Sequence, residues 1–107
     1  MRKRLSQVSR IVIKLGTSVI TNLSKRPDLP HMTHLIRQMS DLRALGKEII
    51  IVSSGAVGAG RGVLGFEKKP KTLAELQACA AVGQSRLMAI YEKLFSIYDI
   101  NIAQVLL

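Results

Sequence analysis

Lys14-Leu15-Gly16-Thr17-Ser18 and Ser53-Ser54-Gly55-Ala56 are the two segments of this sequence whose residue types suit work on an anion. Each follows a short apolar run, Ile11-Val12-Ile13 in the first case and Ile49-Ile50-Ile51-Val52 in the second. Glycine lets backbone approach a ligand closely. N–H groups at such turns attract negative charge, and hydroxyls add donors. One turn carries a cation, Lys14, and the other is neutral. That difference suits one phosphate pocket beside one acceptor pocket. A lysine closing a buried strand needs a partner, because an unpaired buried charge is costly. A phosphate would supply one, and a lysine there offsets the negative charge that develops in phosphoryl transfer. The same lysine can instead reach solvent or pair with an acid. Ser54, with the N–H groups of Gly55 and Ala56, can hold a carboxylate or phosphate, or it can serve only as a helix cap and tight turn. The residues leave both choices open.

Other motifs carry less. Gly55-Ala56-Val57-Gly58-Ala59-Gly60-Arg61-Gly62 has P-loop glycine spacing, but Arg61 and Gly62 stand where Lys and Ser/Thr are needed. Gly60-Arg61-Gly62-Val63-Leu64-Gly65 matches G-x-G-x-x-G, yet it lies too far beyond a strand for a dinucleotide site. His31 and His34 lack further ligands at metal-binding spacing and read as solvated. Cys79, the lone cysteine, sits among Ala78, Ala80 and Ala81 and reads as a buried structural thiol. It also excludes an internal disulfide framework.

The elements that must position the two turns follow from periodicity. Residues 10–15 and 48–53 read as strands, apolar enough to be buried on both faces of a parallel sheet. Met32, Leu35, Ile36, Met39, Leu42 and Leu45 recur at helical spacing, and Gly46 ends that helix. Strand, helix and strand in this order require a right-handed parallel crossover. Residues 19–30, with Asn22, Pro27 and Pro30, read as a loop. Small residues from Gly55 to Gly62 predict a helix packed tightly on the sheet. Thr72-Leu73-Ala74-Glu75 has capping-box spacing and should open a long helix over about 73–97. Its buried face should include Leu76, Ala80, Leu87, Ile90, Tyr91, Leu94 and Phe95. Gly83 within it costs up to ~1 kcal/mol relative to alanine, which predicts a close backbone approach. Asn101 to Leu107 reads as a third strand.

A chain of 107 residues with 48% hydrophobic residues is one domain or part of one, with a core rich in aliphatic side chains. No uncharged apolar stretch reaches the ~18 residues of a membrane span. Met1-Arg2-Lys3-Arg4 is not followed by an apolar segment, so it is no secretory signal. Residues 1–9 read as a basic solvated tail, and a cytoplasmic location is expected. The net charge of +9 suits anionic partners. The basic residues are dispersed, and no aromatics interleave with them to stack on bases, so nucleic-acid binding is not favoured. Gln104-Val105-Leu106-Leu107 stops within an apolar strand, which leads to the expectation that the natural protein continues.

The residues that matter most also carry a resemblance. Ile13-Lys14-Leu15-Gly16-Thr17-Ser18 and Ile51-Val52-Ser53-Ser54-Gly55-Ala56-Val57-Gly58-Ala59-Gly60-Arg61 resemble the opening of the amino-acid kinase family. Ala80-Ala81-Val82-Gly83-Gln84-Ser85-Arg86-Leu87, with Leu94-Phe95-Ser96-Ile97-Tyr98 and Gln104-Val105-Leu106-Leu107, is similar to those members that phosphorylate L-glutamate. The resemblance spans about residues 10–107. It implies a three-layer α/β/α sandwich with a mainly parallel central sheet, of which 10–107 would be the N-terminal part. It implies transfer of the ATP γ-phosphoryl to the side-chain carboxylate of L-glutamate, with Mg2+. Lys14 would contact the transferred group, Gly16, Thr17 and Ser18 the ATP phosphates, and Ser54, Gly55 and Ala56 the substrate. Proline as feedback inhibitor and a homo-oligomer of the full-length protein are further implications. Kinases of the same fold acting on carbamate, acetylglutamate or a nucleoside monophosphate are the alternative, and a basic nucleic-acid module is a more distant one. Further substrate, base and magnesium sites would lie beyond Leu107, so the chain alone is expected to be inactive.

Overall fold

The computed structural model describes residues 6–22, 26–66 and 68–105. Two six-residue strands, β1 (Arg10–Leu15) and β2 (Glu48–Ser53), pair in parallel. Helix α2 (Leu29–Ala44) makes the crossover between them. A single helical turn, α1 (Thr17–Ile20), follows β1, and α3 (Ala56–Leu64) and α4 (Leu73–Ser96) follow β2. The register sets Arg10 opposite Glu48, Lys14 opposite Val52 and Leu15 opposite Ser53.

The strands alternate, and α2 and α4 pack on one face only. Ile13, Leu15, Ile49 and Ile51 meet Met32, Ile36 and Met39 of α2 and Leu87, Tyr91 and Phe95 of α4 in one core cluster. Ile20, Met32, Ile36 and Leu87 are the large side chains fully removed from solvent; each contributes about 1.5–3 kcal/mol by burial. The opposite face, with Val12 62% and Val52 51% exposed, is open. Burial on both faces is therefore corrected. The two layers are a sheet and the helices on one of its sides, an incomplete form of the expected sandwich.

The helix boundaries have local causes. Asp28 accepts a hydrogen bond from the His31 N–H and caps α2. Pro30, read from sequence as loop, instead lies in the first turn of α2, where its missing N–H has no intrahelical partner to lose. The loop reading of 19–30 is corrected at its other end too, because α1 runs to the buried Ile20. Leu45 does not join the α2 stripe; it lies exposed after the last helical residue. The capping box at Thr72 and Glu75 forms as expected. Helix α4 buries a row four residues apart: Cys79, Gly83, Leu87, Tyr91 and Phe95. Its small members face α3 and its large ones face the sheet, so one ridge serves two packing distances.

Gly83 justifies itself by contact. A Cβ built there would lie 1.5 Å from the Ala56 carbonyl oxygen, and one at Gly60 would lie 1.8 Å from the Cys79 carbonyl oxygen. The α3 and α4 backbones touch at these points. The third strand does not form: after Asp99, Ile100 and Ile102 pack against the core, but 101–105 carry no ladder hydrogen bonds, while 106 and 107 lie outside the described residues. Alternating side chains put these residues against the core, but a strand also needs a paired backbone. The basic tail falls mostly outside the described residues; Ser6 to Ser9 are exposed. Among the described residues no helix is long and apolar enough to cross a membrane.

Candidate active site: two turns on one sheet edge

Parallel pairing brings the C-terminal ends of β1 and β2 to the same edge. The ladder runs one step past the strands, with the Ser54 N–H donating to the Leu15 carbonyl at 2.9 Å. Gly16 and Ser54 thus leave the sheet side by side. The first turn is held by Val19 N–H to Gly16 O at 3.0 Å, by the burial of Ile20, and by Asp28 N–H returning to Ile20 O at 2.8 Å. The second turn is seated on the first. Gly55 has φ 102°, and a Cβ there would lie 2.7 Å from Ile20 Cδ1 and 3.7 Å from Thr21 Cγ2. Both the left-handed backbone and the contact with α1 call for glycine.

Lys14 is exposed on the open face of the sheet, opposite Val52 in register. Thr17 and Ser18 open α1 and are exposed; Gly16 precedes them. Gly16 has φ −72°, which any residue adopts, and no described atom lies within 4 Å of a Cβ placed on it. Neither backbone nor packing among the described residues requires glycine there. Ser54 is half-buried, and Ala56 begins α3, whose N-terminal N–H groups carry partial positive charge. The structure therefore brings Lys14, Gly16, Thr17, Ser18, Ser54, Gly55 and Ala56 to one edge. The arrangement offers a cation, hydroxyls and backbone donors, a set that suits anions.

No group of three or more His, Cys, Asp or Glu able to hold a metal occurs among the described residues. The groups at the edge, a lysine cation with hydroxyls and backbone N–H donors, do not fit Mg2+, which takes carboxylate oxygens. His34 lies on the surface with its Nε2 3.1 Å from Gln38 Nε2, in keeping with a solvated pair at 31 and 34. Cys79 is buried. A cavity of about 150 Å³ lined by Glu92, Ser96, Asp99, Ile100, Asn101 and Ile102 lies beyond the C-terminal end of α4 and includes none of the turn residues.

One polar tie escaped the sequence reading. Tyr91, expected only as a core side chain, sets its hydroxyl 2.6 Å from Ser53 Oγ, and Ser53 Oγ donates to the Ser54 carbonyl at 3.1 Å. A buried tyrosine needs a partner for its hydroxyl, and Ser53 is the hydroxyl residue on the core face of β2. That was the available signal. Burial pushes the Tyr91 hydroxyl above its ordinary 10.0, and the hydrogen bond with Ser53 opposes the shift. The folded chain then holds this proton more tightly than the unfolded chain. Stability from this group is full below about pH 10 and declines as pH rises through the raised folded value. Thermal midpoints measured up that range should fall more steeply for the native protein than for Tyr91→Phe; parallel curves would contradict the assignment.

Comparison with known proteins identifies the family. The sequence profile of the amino acid kinase family matches residues 9–107. The chain is 51% identical over 106 residues to a glutamate 5-kinase of Moorella thermoacetica, covering 99% of this chain and 28% of that protein. It is 50% identical over 103 residues to glutamate 5-kinases of Klebsiella pneumoniae and Salmonella newport, covering 96% of this chain and 28% of each. The chain thus spans little more than a quarter of the length of these relatives. With a parallel α/β unit, two anion-suited turns on one edge and a profile match over nearly its whole length, this chain belongs to the amino acid kinase family.

Proposed function

We propose that this chain is the N-terminal part of a kinase that moves the γ-phosphoryl of ATP to the side-chain carboxylate of L-glutamate, giving glutamyl 5-phosphate and ADP. This would be the first step of proline biosynthesis. The observation that carries the reading is the seating of the two turns on each other, with the Ser54 N–H on the Leu15 carbonyl and Gly55 against Ile20. The relatives named glutamate 5-kinase supply the acceptor.

In this reading an oxygen of the glutamate side-chain carboxylate attacks the γ-phosphorus. The bond from that phosphorus to the bridging oxygen breaks, and the electron pair leaves with ADP. The carboxylate is already ionised, so no proton has to be removed, and no covalent enzyme intermediate forms. Lys14 contacts the transferred group and offsets its charge, which falls where the transition state needs it. Gly16 admits a phosphate close to the backbone, and Thr17 and Ser18 donate to it. Ser54, Gly55 and Ala56 hold glutamate. The phosphoryl donor is ATP, with Mg2+ as the cofactor that the family resemblance implies. Proline inhibition, a homo-oligomer and a cytoplasmic location belong to the same proposal.

The test is an acceptor panel with the full-length protein: glutamate, carbamate, acetylglutamate and nucleoside monophosphates. Glutamate should be the acceptor turned over, and Ser54→Ala should raise its KM about tenfold or more, the scale of a lost hydrogen bond to a charged group. Turnover of another acceptor in its place, or a glutamate KM untouched by Ser54→Ala, overturns the assignment. Salt-sensitive binding of nucleic acid without phosphoryl transfer would do the same.

A further inference from the structure

We infer that Tyr91 is a positioning residue for the acceptor turn, acting through Ser53 on the peptide that joins Ser54 to Gly55. The inference rests on the reading of Ser54–Ala56 as the acceptor site.

Counting protons fixes the direction of the chain. The Ser54 carbonyl can only accept, so the single proton of the Ser53 hydroxyl is committed to it. Tyr91 must then donate its proton to Ser53 Oγ. Two donations in series run from a buried ring on α4 to the backbone at the end of β2. The Ser54–Gly55 peptide is planar and trans. Holding its carbonyl oxygen toward Ser53 therefore aims the Gly55 N–H the opposite way. That N–H is one of the donors offered to the acceptor. Serine at 53 with tyrosine at 91 thus sets the orientation of a group neither side chain touches in the substrate.

Packing alone does not require this arrangement. Tyr91 fills the core with its ring, in the same row as Leu87 and Phe95, and phenylalanine would fill that volume equally well. The hydroxyl adds a polar group to a site only 5% exposed, which costs free energy unless it is bonded. It bonds to Ser53, the residue next to the proposed acceptor serine.

The experiment compares Tyr91→Phe, Ser53→Ala and Ser53→Thr in the full-length protein. Tyr91→Phe should raise the KM for the acceptor about fivefold, the scale of one net hydrogen bond, with kcat and the ATP KM little changed. A variant that was merely less stable would lose active enzyme, and so apparent kcat, without shifting the acceptor KM. Ser53→Ala should raise the acceptor KM at least as much, Ser53→Thr should restore it, and the double variant should be no worse than Ser53→Ala. A second readout is the Gly55 amide resonance, which should shift in Tyr91→Phe. It reports peptide orientation whichever acceptor the enzyme uses, so failure of the glutamate assignment and failure of the relay are told apart. An unmoved Gly55 amide, an unmoved acceptor KM or additive effects of the two substitutions overturns the inference.

Discussion

Replacing Lys14 with alanine in the full-length protein should lower kcat by about 10²–10³, the range seen when one preorganised group that stabilises developing charge is removed. Stability should change by no more than about 0.5 kcal/mol, as for other exposed side chains. Lys14 stands on the open face of β1, and the core cluster is built from its neighbours Ile13 and Leu15. The lysine therefore does little for the fold, and a large kinetic effect would have to come from the reaction. Gly16→Ala makes a companion test. The φ of −72° and the open surroundings accept a methyl group, and loss of unfolded-state freedom should stabilise the chain by about 0.4–1 kcal/mol. The same methyl group should obstruct a phosphate and raise the KM for ATP. Steady-state kinetics beside denaturant titrations separate the two effects. Undiminished turnover in Lys14→Ala would leave this chain with a binding or regulatory role.

The second large effect is on the fold. Gly83→Ala should destabilise the protein by about 3 kcal/mol or more, at the upper end of overpacking costs. The new Cβ would lie 1.5 Å from the Ala56 carbonyl oxygen and 2.6 Å from the Gly60 nitrogen. These are backbone atoms, so no side-chain rotation relieves the clash, and α3 and α4 must separate. Ala56 opens α3 directly after Ser54 and Gly55. Whatever fraction still folds should therefore bind the acceptor more weakly. The denaturant midpoint measures the first effect and the acceptor KM the second. Native stability in Gly83→Ala would mean that the two helices do not touch there.

Much of this was legible in the residues. The apolar runs at 10–15 and 48–53, the 3.6-residue stripe at Met32, Ile36 and Met39, and the capping box at Thr72 and Glu75 are local signals, and each produced the element expected. The clustering of glycine and hydroxyl residues at Lys14–Ser18 and Ser53–Ala56 was equally plain. Pro30 misled because a proline suits both a loop and the first turn of a helix, and sequence alone does not show where the cap falls. Residues 101–105 misled because alternation records which side chains face the core and says nothing about whether a backbone partner is present.

The sequence by itself determined which stretches are strands and helices, where the glycines and hydroxyls cluster, and that Lys14 alone gives one turn a charge, because these depend on neighbours within a few residues. The strand–helix–strand order also called for a parallel crossover, and so for both turns on one edge, as observed. The tertiary structure alone decided that Gly55 rests on Ile20 and that Tyr91 reaches Ser53. Those contacts join residues about 35 to 40 positions apart. Only parallel register and the close approach of α3 to α4 bring them together.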